Sequence, residues 1–178
     1  MKQGGRDLQQ LGLEKYAPVF AGYTELRAHE NHTVSIGFLK GNNVRNVKST
    51  ISGVSARVYQ HGSWGFASSA DFTDDSIRQV IKAASANAAF LDRKQNKGKQ
   101  SLPARPIRAE HDYSTAKPRL TQKQLIEFVK QIDQYIAGKY PDLASRYVSL
   151  NCLDMEKLLL TSDGSYSYSL NPRSLISI

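Results

Sequence analysis

Four histidines (His29, His32, His61 and His111), one cysteine (Cys152) and the stretch Ser114-Thr115-Ala116-Lys117 carry the side chains of this 178-residue sequence that could bind metal or attack a substrate. His29-Glu30-Asn31-His32 brings two imidazoles close in sequence. Imidazoles four residues apart share a helix face and can hold metal; three apart on a continuous strand, they point to opposite faces. The surrounding residues read as strand and turn, so the expectation is an exposed hairpin tip rather than a metal site. Ser-x-x-Lys supports acyl transfer where a helix aligns both groups. Here Pro118 follows directly, which argues against a helix and makes the match a coincidence. Neither a Gly-x-Ser-x-Gly elbow nor a Gly-x-x-x-x-Gly-Lys phosphate loop occurs. The lone Cys152 rules out an internal disulfide, fits a reducing compartment and reads as a core or strand-face thiol.

Two aromatic residues, Trp64 and Phe66, are the remaining candidates. They belong to Gly53–Phe72, the stretch around which the chain is organised. Val54, Ala56 and Val58 alternate with Ser55, Arg57 and Tyr59, the period of two of a strand with one buried face. His61-Gly62-Ser63 supplies a turn, and Trp64 to Ser68 forms a second short strand. Two apart on that strand, Trp64 and Phe66 share a face. They are expected to fill the core beneath the following helix; lining a peptide-binding groove is the alternative.

The other elements follow from the same patterns. Leu8, Leu11, Leu13 and Tyr16 predict a short helix interrupted at Gly12 and ended by Pro18. Strands are predicted at 23–29, 33–40 and 44–48, with Gly41-Asn42-Asn43 as a turn and antiparallel pairing across short links. Thr73 caps a helix whose first turn holds Asp74 and Asp75, and Ile77, Val80, Ile81, Ala84, Ala88 and Leu91 lie at helical spacing on one face. Thr121 and Gln124 form a capping box for a second helix with Leu125, Phe128, Val129, Ile132 and Ile136 on its apolar face, closed by Gly138 and Pro141. Strands return at 145–153, 156–161 and 166–170, with a turn at 162–165. The predicted class is α+β: an antiparallel sheet with packed helices, then a linker, a helix and the start of a second antiparallel sheet, incomplete as written. The predicted divisions are 1–91, a linker over 92–120, and 121–178.

Gly53-Val54-Ser55-Ala56-Arg57-Val58 followed by Gly62-Ser63-Trp64-Gly65-Phe66-Ala67 resembles the N-terminal region of the TldD/PmbA family of metallopeptidases, once described as modulators of DNA gyrase. Family members carry a G-V-x-x-R-V strand before a G-x-x-G-F-A segment. The likeness extends upstream through Tyr23-Thr24-Glu25-Leu26-Arg27 and downstream to Ser162-Asp163-Gly164. It implies that the complete protein hydrolyses peptide bonds with a zinc-bound water, works as a homo- or heterodimer with a family member, and acts on unstructured peptides or peptide precursors. The family's His-Glu-x-x-x-His helix is absent from these residues, and Cys152 stands too early to be its cysteine ligand. The chain alone is therefore expected to bind no zinc or other cofactor and to lack peptidase activity.

Composition bounds the alternatives. With 40% apolar and 22% charged residues the chain reads as globular. No apolar run reaches the ~18 residues of a membrane span and MKQGGRDLQQ has no signal-peptide core, so the expected setting is the cytoplasm, with no membrane partner. The net charge of +8 is concentrated in residues 92–123, which hold nine basic and three acidic side chains. With Tyr113 as its single aromatic, that segment reads as a solvated basic connector, and nucleic-acid binding as a weak third possibility. The second is a non-catalytic peptide-binding or dimerisation module that partners an active subunit.

Overall fold

The computed structural model describes residues 7–95, 98, 102 and 104–178. Six strands, β1 (Tyr23–Leu39), β2 (Asn42–Gln60), β3 (Ser63–Ser69), β4 (Arg108–Asp112), β5 (Tyr147–Thr161) and β6 (Tyr166–Ser177), form one sheet in the order β3-β2-β1-β5-β6-β4. The helices are α1 (Asp74–Gln95) and α2 (Gln122–Lys139), preceded by two 3-10 turns at Leu8–Leu11 and Leu13–Val19. The class is α+β with a mostly antiparallel sheet and packed helices, as the sequence implied. The strands expected to begin a second sheet, β5 and β6, lie within this same sheet.

Two further differences concern strand length. The strands predicted at 23–29 and 33–40 are one continuous strand, β1, so His29 to His32 is mid-strand and not a hairpin tip. The basic segment is not all connector: α1 runs to Gln95, and Arg108–Asp112 pairs in parallel with Tyr166–Leu170. That one ladder is parallel, because β4 arrives through a long connection rather than the short links for which antiparallel pairing was expected.

Both tight hairpins close on two residues with positive φ, as type I′ turns require: Lys40-Gly41 (48° and 85°) and His61-Gly62 (46° and 87°). The strands resume at Asn42 and Ser63, one residue earlier in the second case than a three-residue turn would allow.

The chain packs as two compact units assembled from separated segments. The first comprises Met1–Glu30, Ser52–Asp112 and Glu156–Leu170. Its core sets Ile77, Val80, Ile81, Ala84 and Ala88 of α1 against Leu26, Ala28, Val54, Ala56, Val58, Leu158 and Leu160 of the strands. Leu8, Leu13 and Tyr16 of the 3-10 turns close it. Apolar residues at i, i+3, i+4 and i+7 of α1 meet every second residue of each strand, so α1 covers one face of these strands. Thr73 Oγ1 accepts from Ser76 N at 3.3 Å, the cap that its sequence position implied.

The second unit comprises Asn31–Ile51, Tyr113–Met155 and Asn171–Ile178. Val129 of α2 packs with Ile36, Phe38, Val148 and Leu150, flanked by Leu125, Ile126, Ile132, Ile136 and Cys152. The capping box forms as read: Thr121 Oγ1 accepts from Gln124 N at 3.3 Å, and Gln124 Oε1 accepts from Thr121 N at 2.8 Å. Phe128, expected on the apolar face of α2, is exposed. A buried ion pair closes this unit, with Asp133 accepting from Arg146 Nε at 2.8 Å and from Arg146 Nη2 at 3.1 Å.

Candidate functional site

Trp64 and Phe66 do not enter the core. They are 38% and 57% exposed, on the solvent face of the first unit, while Gly65 between them faces α1. The pairing explains it: Tyr59 lies opposite Trp64, Val58 opposite Gly65 and Arg57 opposite Phe66. Once Val58 is inside, Gly65 must be inside and both aromatics outside. A Cβ on Gly65 would come within 2.0 Å of the Ala84 carbonyl oxygen and 2.3 Å of the Ala88 amide nitrogen. Glycine therefore lets α1 lie directly on β3.

Around Trp64 the open face is organised by charge and rings. The Arg57 guanidinium lies 4.4 Å from the Trp64 ring centroid. Tyr59 stands 5.1 Å from Trp64 at a tilt, and Tyr23 meets it edge-on at 6.0 Å. Arg57 also donates to Glu25 Oε1 at 3.0 Å, and Arg27 donates to Glu25 Oε2 at 3.3 Å. Glu25 keeps only a tenth of its side chain exposed and is held between two cations. Burial, followed by the nearby Glu25 charge, pushes the Tyr23 phenol above its ordinary pKa. Beside these residues lies a shallow hollow of about 310 Å³ lined by Tyr23, Glu25, Arg27, Ile107, Leu159, Thr161, Ser165 and Ser167.

The turn bordering the hollow is fixed locally. Asp163 accepts from the Thr161 hydroxyl and, at 3.3 Å, from Ser165 N, and these bonds hold its carboxyl below the usual carboxylate range. Ser162 Oγ accepts from Thr24 N at 3.0 Å, and Ser162 N donates to Thr24 O at 2.8 Å, which ties this turn to the start of β1.

Glu25 is paired with Arg27 and Arg57, the Thr161 hydroxyl serves the turn, and the Ser165 hydroxyl accepts from Ile107 N at 3.3 Å. A second hollow of about 380 Å³, lined by Val19, Ala21, Arg78, Ile81, Lys82 and Ser85, has an apolar floor and a cationic rim. Its Ser85 hydroxyl donates to Ile81 O at 2.8 Å.

The other sequence candidates are dispersed. His32 Nδ1 lies 2.8 Å from Thr50 Oγ1, and His61 Nδ1 lies 3.0 Å from Asp92 Oδ2. Cys152 is half-buried on β5 and accepts from the Ser174 hydroxyl at 3.4 Å. Ser114 to Lys117 is not helical. Among the described residues no group of three or more His, Cys, Asp or Glu side chains is placed to hold a metal ion. Sequence reasoning passed over Glu25, Arg57 and Tyr59 as site residues, although the alternation of Tyr23, Glu25 and Arg27 with Thr24, Leu26 and Ala28 marks an outward row.

The fold is shared with proteins of known structure. Residues 24–88 match the family described as PmbA/TldA metallopeptidase domain 1. No curated protein matches it. Solved structures with the same fold include a candidate modulator of DNA gyrase from Bacteroides thetaiotaomicron (14% identity, TM-score 0.66, covering 94% of this chain and 39% of that one). Another candidate gyrase modulator, from Thermotoga maritima, gives 14% identity and a TM-score of 0.66 over 94% of this chain and 37% of its own. TldE from Thermococcus kodakarensis gives 12% identity and a TM-score of 0.68 over 94% and 38%. The chain spans less than two fifths of the length of each. No helix among the described residues is long and apolar enough to cross a membrane.

Proposed function

We propose that these residues form the N-terminal portion of a TldD/PmbA-like zinc metallopeptidase, acting in the cytoplasm on peptides or peptide precursors in a homo- or heterodimer. The observation that carries this reading is the domain 1 match over residues 24–88, joined to a fold that accounts for 94% of the chain and under two fifths of each solved neighbour. On this reading the metal ligands lie elsewhere in the complete protein. This portion supplies the open face with Trp64 and Phe66, against which an extended peptide or another part of the assembly is held. Sequencing the gene beyond Ile178 tests it: an in-frame continuation encoding His-Glu-x-x-x-His supports the reading, and a stop codon directly after Ile178 defeats it.

The exposure of Trp64 and Phe66 also favours a second reading, a non-catalytic peptide-binding or dimerisation module that partners an active subunit. Co-purification separates the two. Such a module would be recovered with a metal-bearing family member encoded by a different gene.

A further inference from the structure

We propose that the outer edge of β2 between Asn43 and Ile51 accepts an extended acidic peptide segment as an added strand. β2 is 19 residues long and has two neighbours in the sheet, β1 and β3. β3 pairs only with Val54–Gln60. On its outer side the stretch Asn43–Ile51 therefore has no strand partner among the described residues, and every residue from Leu39 to Ile51 is exposed. An edge of this kind presents a row of backbone donors and acceptors, which is the template for strand addition. Nothing in the stretch prevents it: there is no proline, and Val44 and Ile51 are 56% and 66% exposed.

Charge selects the occupant. Arg45 and Lys48 lie on this edge, Lys40 lies in the turn before it, and β2 has no acidic side chain. Gln122 Nε2 donates to Asn46 Oδ1 at 2.6 Å, which places the start of α2 beside the same stretch. None of the three cations Lys40, Arg45 and Lys48 is ion-paired among the described residues, whereas Arg119 and Arg146 of the same unit are held by Asp154 and Asp133. The unit as a whole holds ten basic and four acidic residues. A second copy would add Arg45 and Lys48 again at the same edge, with no acidic side chain on either β2 to offset them. Arg45 and Lys48, three apart on the strand, lie on opposite faces, so an added strand that carries Glu or Asp on each face, with Val or Ile between, meets both cations and the exposed Val44 and Ile51. The edge has no aromatic side chain on which a nucleic-acid base could stack, so an oligonucleotide fits it less well.

The test titrates the 178-residue chain into three fluorescent probes at physiological salt: a peptide of Glu-Glu-Val-Val repeats, which puts carboxylates on both faces of an added strand, the same peptide with alternate backbone amides N-methylated, and an oligothymidylate. The acidic peptide is expected to bind, and its N-methylated form to bind at least about tenfold more weakly because it cannot complete the ladder. The double variant R45E/K48E is expected to lose about tenfold in affinity for the acidic peptide. Amide exchange on the unaltered chain serves as the check that needs no variant, with new protection expected within Asn43–Ile51. Equal binding of the N-methylated peptide, tighter binding of oligothymidylate, protection confined to other strands, or no saturation by about 1 mM peptide would each overturn the proposal.

Discussion

Arg57 lies with its guanidinium 4.4 Å from the Trp64 ring centroid while its Nη2 donates to Glu25 at 3.0 Å, so one side chain joins an exposed indole to a nearly buried carboxylate. Cation–π contacts at such partly exposed positions contribute about 0.5–1 kcal/mol. Trp64→Ala is therefore expected to cost about 1–2 kcal/mol in urea unfolding, well below the ~3–5 kcal/mol of a core tryptophan. Trp64 is the single tryptophan, so its emission reports this face directly, and acrylamide should quench it readily in the folded protein. A loss as large as a core truncation, or a shielded indole, would contradict the placement.

Gly65→Ala is expected to be the more damaging change, although it adds one methyl group. The new Cβ would stand 2.0 Å and 2.3 Å from backbone atoms of α1, where no side chain can swing aside. Separating α1 from β3 disturbs the contacts of Ala84 and Ala88, and a loss of about 3 kcal/mol or more is expected. Thermal melts of the two variants side by side give the comparison. If Gly65→Ala melts within a degree or two of the parent, the close approach of α1 is wrong.

Asp74 ties the entry of α1 to the preceding 3-10 turn, accepting from Tyr16 Oη at 2.6 Å and pairing with Lys15 at 2.9 Å. The Tyr16 hydrogen bond first, and the Lys15 bond second, hold its carboxyl below the usual 3.8. A depressed folded pKa gives stability that is present above the unfolded value and disappears as pH falls through the folded value. Asp74→Asn should therefore melt below the parent at neutral pH and converge with it well under pH 3.8. The opposite limb has the opposite sign. The Asp74 hydrogen bond raises Lys15 and burial raises Tyr16, so their contributions fade as pH climbs past about 10. A melting difference that persists unchanged into strong acid would remove Asp74 from this role.

Much of this architecture was legible because it is local. The capping box of Thr121 and Gln124, the Thr73 cap and the α1 stripe depend on residues within a few positions of one another, and all formed as read. The face of Trp64 was not legible, for a countable reason. Reading the turn as His61-Gly62-Ser63 instead of His61-Gly62 shifts the register by one residue, and in a structure of period two that exchanges inside for outside. β1 and β2 were cut short because polar residues near His29 and Ser49 interrupt the apolar pattern, while ladder pairing carries the strands through. β4, Arg-Ala-Glu-His-Asp, has no strand signal of its own and exists by pairing with β6. The site residues Glu25 and Arg57 come together across 32 positions, a contact that no spacing rule announces.

The Asp133–Arg146 pair yields a prediction about cost and its repair. Asp133 is fully buried and Arg146 is its two-point partner, so Asp133→Ala leaves a cation without compensation in a poorly solvated place. Such single truncations cost about 3–5 kcal/mol, and Arg146, a fifth exposed, points to the lower end. Replacing both partners with apolar residues of similar size, Asp133→Leu with Arg146→Met, should recover most of the loss. A double variant no more stable than Asp133→Ala would show that the pair also orders the Lys40-Gly41 turn, where Lys40 N donates to Arg146 O at 3.1 Å.

The last strand carries a prediction about association. Along β6, Tyr166–Leu170 is paired with β4, which protects that part of the edge. Beyond it, β6 continues to Ser177 without a described partner on that side, and Leu175, Ile176 and Ile178 are 63%, 43% and 78% exposed. Arg173 is the single charge there, too little to discourage pairing between chains. The 178-residue chain is expected to self-associate through Asn171–Ile178, and Leu175→Lys to shift it toward monomer without lowering its melting temperature. Sedimentation velocity at tens of micromolar, with amide exchange across β6, decides it. A clean monomer whose Asn171–Ser177 amides are already protected would mean that this edge is satisfied within the single chain, and the expectation would fall.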